Sequence, residues 1–239
     1  MIFIIPTQAS PKAVGVSNWV FTEMANFRLI SGISNIGASN KVPLGLEFEL
    51  KDGWKIYWRN PGDAGYPPEI NFGNNENLSE IKWFWPAPKR FIFEDIQNFG
   101  YEKKIIFPIT ATVKTTKEPL VLQANITALA CKDICVPIDG DLNLTIPVGN
   151  PVKTEHAASI YSFEKRVPTK ATWPGFKILS VNANKNSILI KVKSKHPLIK
   201  PDVFIESENG FRFGKPEVSI SNNRLNASFI LSNDIPIDT

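Results

Sequence analysis

The chain has 239 residues, 43% of them hydrophobic and 21% charged, and a formal net charge of +4. Its two cysteines and two histidines are too few for a disulfide framework, a four-cysteine zinc site or a three-histidine metal centre. The longest uninterrupted apolar runs, about five residues, fall far short of the ~20 that span a bilayer, and Lys/Arg pairs such as Lys103-Lys104 and Lys165-Arg166 are too sparse to point to nucleic acid.

The first nine residues read as the remnant of a signal peptide. Ile2 to Ile5 resemble the end of an apolar core, and Thr7-Gln8-Ala9 carries small residues at the first and third places, as signal peptidase sites do. The alternative is an ordinary hydrophobic stub. On the signal reading the mature protein begins near Ser10, in a periplasmic or secreted location where disulfides form.

Alternation of period two, the mark of half-buried strands, governs the next 140 residues. Val42, Leu44, Leu46, Phe48 and Leu50 alternate with Pro43, Gly45, Glu47 and Glu49. Lys51-Asp52-Gly53 supplies a turn, and Trp54 to Trp58 resumes as a strand. Asn60 to Pro68 is rich in Pro and Gly and reads as an ordered loop, because proline lacks an amide donor and glycine tolerates positive φ. Strands follow at Phe107–Val113, Leu120–Ala128 and Leu142–Val148. Many short strands with such punctuation predict a β-sandwich over 10–150.

One helix is expected within 151–170. Thr154 can cap it, Glu155 suits its first turn, Ala157, Ile160, Tyr161 and Glu164 recur at helical spacing, and Val167-Pro168 ends it. It reads as a linker. A second, smaller β-rich domain then covers 171–239, with strands at Ile178–Ala183, Ile188–Val192, Val203–Ile205, Val218–Ile220 and Leu225–Leu231. It stops soon after a strand and reads as incomplete at that end.

Cys131-Lys132-Asp133-Ile134-Cys135 is the one constellation able to carry covalent chemistry. A loop or one helical turn can bring cysteines at i and i+4 to the ~6 Å that a disulfide needs. Closing so small a ring stabilises by roughly 2 kcal/mol, little for a domain of this size. Three readings stay open on spacing alone. The pair can cycle between dithiol and disulfide, bind a soft ion such as Cu(I), or form a static local disulfide. Lys132 favours a neighbouring thiolate and Asp133 opposes it.

At this point several pieces in fixed order resemble the N-terminal periplasmic domain of DsbD/ScsB-type thiol:disulfide interchange proteins. They are Leu46 to Arg59, Asn60 to Pro68, Trp85-Pro86-Ala87-Pro88-Lys89-Arg90-Phe91, Gly100-Tyr101-Glu102 and Ala130 to Pro137. The resemblance implies an immunoglobulin-like β-sandwich with the cysteine pair at one end. It makes Cys131 and Cys135 the redox pair of a protein-disulfide reductase type of oxidoreductase that needs no cofactor and no metal. It places an aromatic-tipped cap loop within Lys89 to Asn98, with Phe91 or Phe93 as the candidate tip; the alternative for both is a plain core role. Tyr57 and Trp54 fall where the family keeps aromatics beside the site; residues three apart on a regular strand point to opposite faces, so at most one of them faces the cysteines, and a core role is the alternative for either. Gly62, Asp63 and Gly65 shape a loop. With no apolar run long enough to span and no CxxC in these residues, neither the membrane-embedded nor the thioredoxin domain of the complete transporter is expected within them, and the implied partners are a thioredoxin-like or membrane-embedded exchange protein as electron donor and a periplasmic disulfide protein as acceptor. The alternative function is a copper(I)- or partner-binding sandwich without redox turnover.

Overall fold

The computed structural model describes residues 14–73, 75–93, 96–169, 175–184, 187–206, 213–222 and 226–232. The signal-peptide reading of residues 1–9 lies outside them. Among the described residues, fifteen strands and one helix follow in chain order: β1 Val20–Phe21, β2 Ala25–Ser31, β3 Lys41–Leu50, β4 Lys55–Gly62, β5 Glu69–Asn71, β6 Leu78–Trp83, β7 Lys89–Phe93, β8 Ile96–Glu102, β9 Lys104–Val113, β10 Leu120–Cys131, β11 Cys135–Ile146, α1 Ala157–Glu164, β12 Phe176–Ala183, β13 Ser187–Ser194, β14 Glu217–Ser221 and β15 Asn226–Ser232. The protein is all-β: an immunoglobulin-like sandwich, then the helix, then a small β domain.

The described chain divides into two compact units. The first comprises 1–55, 68–86 and 102–166. One of its sheets has the order β1-β2-β3-β9-β6. The other is built on the long β10–β11 hairpin, with β5 on the free side of β10 at Glu69↔Thr127 to Asn71↔Asn125 and the start of β4 at Lys55↔Cys131. The alternating apolar residues meet between them. Phe27, Phe48 and Phe107 are fully buried, as are Leu29, Leu46, Leu120, Leu122, Ile126, Leu142 and Ile146. Phe48 and Phe107 pack edge to face with centroids 6.1 Å apart, the geometry aromatic pairs prefer.

The helix is shorter than its sequence pattern suggests. Its N-cap is His156, whose side chain makes no capping bond. Thr154 stands two residues earlier, and its Oγ1 accepts the His156 N–H at 3.2 Å. Although the helix comes after the sandwich in sequence, it is docked on the first sheet. Ile160 is buried against Gly45, where an added Cβ would come 3.2 Å from its Cγ1 and 2.7 Å from Ile106 Cγ2. Glu47, two residues along the same face, is consequently only 2% exposed. Its carboxylate is bound by Arg28 Nε at 2.7 Å and Lys104 Nζ at 2.5 Å, as a buried charge requires. Simple alternation reads Glu47 as a solvated residue, because it does not register a helix laid over the outer face.

The second unit comprises 56–67, 87–101 and 167–239. It contains most of β4 with β8 and β7, and the sheet β12-β13-β15-β14. Val192, Ala227 and Phe229 form the core of that sheet, with Phe176, Ile190, Leu198, Val203, Ile205 and Phe213 packed on it. Two expectations are corrected here. Asn60 to Gly62 continue β4 rather than opening the loop, since a strand needs no regular hydrophobic pattern once it is paired. Within the expected cap segment, β7 and β8 pair antiparallel, with Phe91 opposite Asn98. Residues 203–205 are not a strand. Phe204 instead plugs in beside Trp58 and Phe99, centroids 6.0 and 5.0 Å away, so its apolar pattern reports burial in a strap rather than pairing in a sheet. Leu225 lies outside the described residues.

Candidate functional site

The β10–β11 hairpin runs in unbroken register from Leu120↔Ile146 to Cys131↔Cys135. Its last pair is the disulfide, with Sγ–Sγ 2.04 Å and Cα–Cα 4.1 Å. That close approach is the spacing of a non-hydrogen-bonded antiparallel pair, where opposite side chains lie nearest. The i, i+4 spacing is therefore satisfied by a three-residue hairpin tip, not a helical turn. Within the tip the Lys132 N–H donates to the Ile134 carbonyl at 3.0 Å.

Strand parity decides which way the bond faces. Along β10 the even-numbered residues Leu120 to Ala130 are buried, whereas Val121, Gln123, Asn125 and Thr127 are exposed. Cys131 shares the odd parity, so the disulfide belongs to the outer face of the sheet and not to the core between the sheets. Its two halves are unequal. Cys131 is 7% exposed, Cys135 is exposed, and the neighbouring Ile134 is 68% exposed.

A second tip lies alongside. The turn between β3 and β4 closes through the Trp54 N–H donating to the Lys51 carbonyl at 3.0 Å. Gly53 holds φ +83°, and the stem of Lys132 lies so close that a Cβ on Gly53 would sit 2.8 Å from Lys132 Cε. Trp54 is half-buried and sits in this turn rather than on β4. Its expected alternation with Tyr57 therefore has no strand to act through. Lys55, the first residue of β4, pairs with Cys131.

The other sequence candidates belong to the second unit. Tyr57 is 5% exposed, and burial raises the pKa of its phenol. Gly65, at φ +108°, lies against its ring, and a Cβ there would come 2.3 Å from Tyr57 Cε1. Asp63 links its loop to β8 in both directions. Its N–H donates to the Gln97 carbonyl at 2.8 Å, and its Oδ2 accepts the Gln97 N–H at 2.7 Å. Gly62, at φ +90°, makes that approach possible, because a Cβ would meet the Gln97 carbonyl oxygen at 2.3 Å. Phe91 is half-buried in β7. Phe93 stands opposite Ile96 at the end of the same hairpin, and its side chain lies outside the described part of the structure.

Both thiols are used in the disulfide, and among the described residues no group of three or more His, Cys, Asp or Glu side chains is placed to hold a metal ion. Among them, too, no helix is long and apolar enough to cross a membrane.

Residues 31–147 match the family model "Thiol:disulfide interchange protein DsbD, N-terminal". The chain carries a DsbD-type N-terminal domain. The segment Ala130 to Pro137, with its two cysteines, falls inside the match. Residues 166–237 match a second model, a domain of unknown function (DUF8393). The chain has a structural likeness in the N-terminal periplasmic domain of ScsB from Proteus mirabilis. That structure is 23% identical, with a TM-score of 0.74 over 93% of this chain and 87% of the other. The likeness bears on the fold and extends beyond the DsbD-type segment into the second β domain. The reduced N-terminal domain of Neisseria meningitidis DsbD is 15% identical over 54% of this chain and 90% of the other, at a TM-score of 0.27, too low to bear on the fold. No curated protein matches the chain.

Sequence reasoning missed two residues that the structure brings forward. Lys55 stands beside Cys131 only because of strand register. Arg90 has a nearly buried side chain, in a cluster whose members come from three separate segments. Neither carries a local signal, since both lie in short stretches of mixed polarity.

Proposed function

We propose that this chain is a periplasmic thiol:disulfide oxidoreductase in which Cys131 and Cys135 relay electrons between partner proteins. The family description supplies the interchange chemistry. The observation that carries the reading to these residues is the disulfide at a hairpin tip on the outer face of the sheet, one cysteine exposed and the other nearly buried. A disulfide meant only to staple the fold gains most by closing a long loop inside the core. This one closes a ring across a sequence separation of only 4, with Cys135 exposed at the tip.

In the proposed exchange a partner thiolate attacks Cys135 Sγ, forming a mixed disulfide. The Cys131–Cys135 bond breaks, and its electron pair leaves on Cys131. The partner's second thiol then attacks the mixed disulfide and releases Cys135. Two electrons and two protons have moved from the partner dithiol to the cysteine pair, and the partner is left oxidised. A thioredoxin-like or membrane-embedded exchange protein is the proposed donor, and a periplasmic disulfide protein the acceptor that reverses these steps. The domain limits 10–150, 151–170 and 171–239, and the site-shaping roles of Phe91, Phe93, Tyr57, Trp54 and Asp63, belong to the same proposal.

The test is to measure the reduction potential of the pair and to trap mixed disulfides with Cys131→Ser and Cys135→Ser. The expected result is a potential above about −300 mV and capture of a single-cysteine thioredoxin-like protein by Cys131→Ser, which keeps the exposed sulfur. A potential far below that value, with no capture by either variant, would remove the relay role.

A further inference from the structure

Register places three side chains in one row across three strands. Cys131 pairs with Cys135 on β11 and with Lys55 on β4. Directly opposite residues of antiparallel strands project to the same face, with Cβ atoms about 4.5–5.5 Å apart. Lys55 therefore stands on the outer face beside the half of the disulfide that is almost buried. The surrounding charges in the first unit are mixed: Lys132 and Asp133 on the cysteine tip, Lys51 and Asp52 on the neighbouring turn. Of these, Lys132 has its stem laid on Gly53, and the others are on exposed turns. Lys55 alone is fixed to Cys131 by the ladder itself.

We infer that Lys55 is a further functional residue of this site: its ammonium favours the thiolate that forms on Cys131 when the disulfide opens. The inference rests on the exchange reading above for its consequence, though not for its geometry. When a partner thiolate attacks the exposed Cys135, the electron pair of the S–S bond leaves on Cys131. A leaving thiol of lower pKa leaves faster. An opposite charge within a few ångströms lowers a thiol's pKa, and one next to a nearly buried sulfur is screened less than one at an open tip.

Lys55 is a positioning residue in this sense, because it acts through Cys131 and forms no bond to the partner. It gives the two cysteines unequal tasks. The exposed sulfur meets the partner, and the covered one departs with a cation at its side. The small partner this fits is any dithiol. The protein partner it fits is one whose attacking thiolate approaches over Ile134 and Cys135 and leaves the Lys55 side of the row uncovered.

The experiment uses the full chain. In a Cys135→Ser background, which leaves Cys131 as the single thiol, thiolate absorbance is followed against pH for Lys55, Lys55→Arg and Lys55→Met. The expected result is a Cys131 pKa about one unit higher in Lys55→Met, with Lys55→Arg restoring it. In the two-cysteine protein, reduction of the disulfide by dithiothreitol is expected to slow by roughly threefold in Lys55→Met and not in Lys55→Arg. Equal pKa values for Arg and Met at position 55 would overturn the inference. Should Lys55→Met fail to fold, the wild-type residue is tested by salt: the Cys131 pKa must rise as ionic strength goes up, and a salt-independent value also overturns it. The two proposals fail separately. If dithiothreitol and thioredoxin-like dithiols leave the bond intact in every variant, the exchange reading is lost, while the Cys131 titration still decides the role of Lys55.

Discussion

Arg90 forks onto Asp202. Its Nε and Nη2 donate to the two carboxylate oxygens at 2.9 and 2.8 Å, and Nη2 also donates to the Val203 carbonyl at 2.7 Å. The guanidinium lies 4.8 Å from the Phe99 ring and 5.0 Å from Phe204, and it donates a further bond to Gln97 Oε1. With 7% of its side chain exposed, this cation fastens the strap 202–206 to the β7–β8 hairpin inside the second unit. Arg59 holds the end of the same strap through Glu206, at 2.8 and 2.5 Å.

Arg90→Ala is therefore expected to destabilise the second unit by about 2–3 kcal/mol, since removing one partner strands the other charge and the carbonyl. Arg90→Lys will recover little, because an ammonium cannot reproduce a planar fork. Arg59→Ala, at a pair 45% exposed on both sides, will cost at most ~1 kcal/mol. Denaturant unfolding of the three variants checks the ranking. Equal losses at Arg90 and Arg59 would contradict it.

Gly53→Ala brings two separable costs. The residue sits at φ +83°, which costs a non-glycine residue about 1 kcal/mol, and its new Cβ would press on the Lys132 stem. That stem is flexible and can swing away. The expected loss is thus about 1–2 kcal/mol in the wild-type background and falls toward the backbone part alone when Lys132 is also Ala. A double-mutant cycle measures the difference.

Acid should weaken the first unit in two stages. Burial, followed by the Arg28 charge, holds the His156 imidazole below its usual 6.5. A base depressed in the fold binds a proton more readily when unfolded, so its stabilisation is present above about pH 6.5 and declines as pH falls below it. Burial pushes the Glu47 carboxyl up, but the Lys104 and Arg28 hydrogen bonds and charges outweigh it and hold it below 4.5. Its stabilisation is present above about pH 4.5 and is lost as pH falls through the folded value. Urea midpoints followed down the pH scale should lose the upper stage in His156→Gln and the lower stage in Glu47→Gln. A profile unchanged by either substitution would refute the assignment.

Reducing the disulfide should leave the fold standing. The ring spans a sequence separation of 4, so opening it is expected to cost about 2 kcal/mol, small against the core around Phe27, Phe48 and Phe107. Near-ultraviolet circular dichroism of the reduced protein should keep its native signature. Loss of that signature on reduction would mark the bond as a structural staple.

The pairing potential of Cys131 and Cys135 and most of the sandwich were legible in the residues alone. The alternation at Val42–Leu50, Phe107–Val113, Leu120–Ala128 and Leu142–Val148 is a local property of one chain segment, and a strand with one buried face must display it. Where a second layer covers the outer face, as α1 does over Gly45 and Glu47, or where an apolar run plugs a strap, as at Phe204, the same local pattern misreports its cause. The fold had to supply which sulfur is exposed and that Lys55 stands beside Cys131, whereas the outward parity of Cys131 already follows from the alternation along β10. The placement of Lys55 depends on register between segments far apart in the chain. A shift of one residue in that register would turn Lys55 to the other face of its strand, and no pattern inside either segment records it.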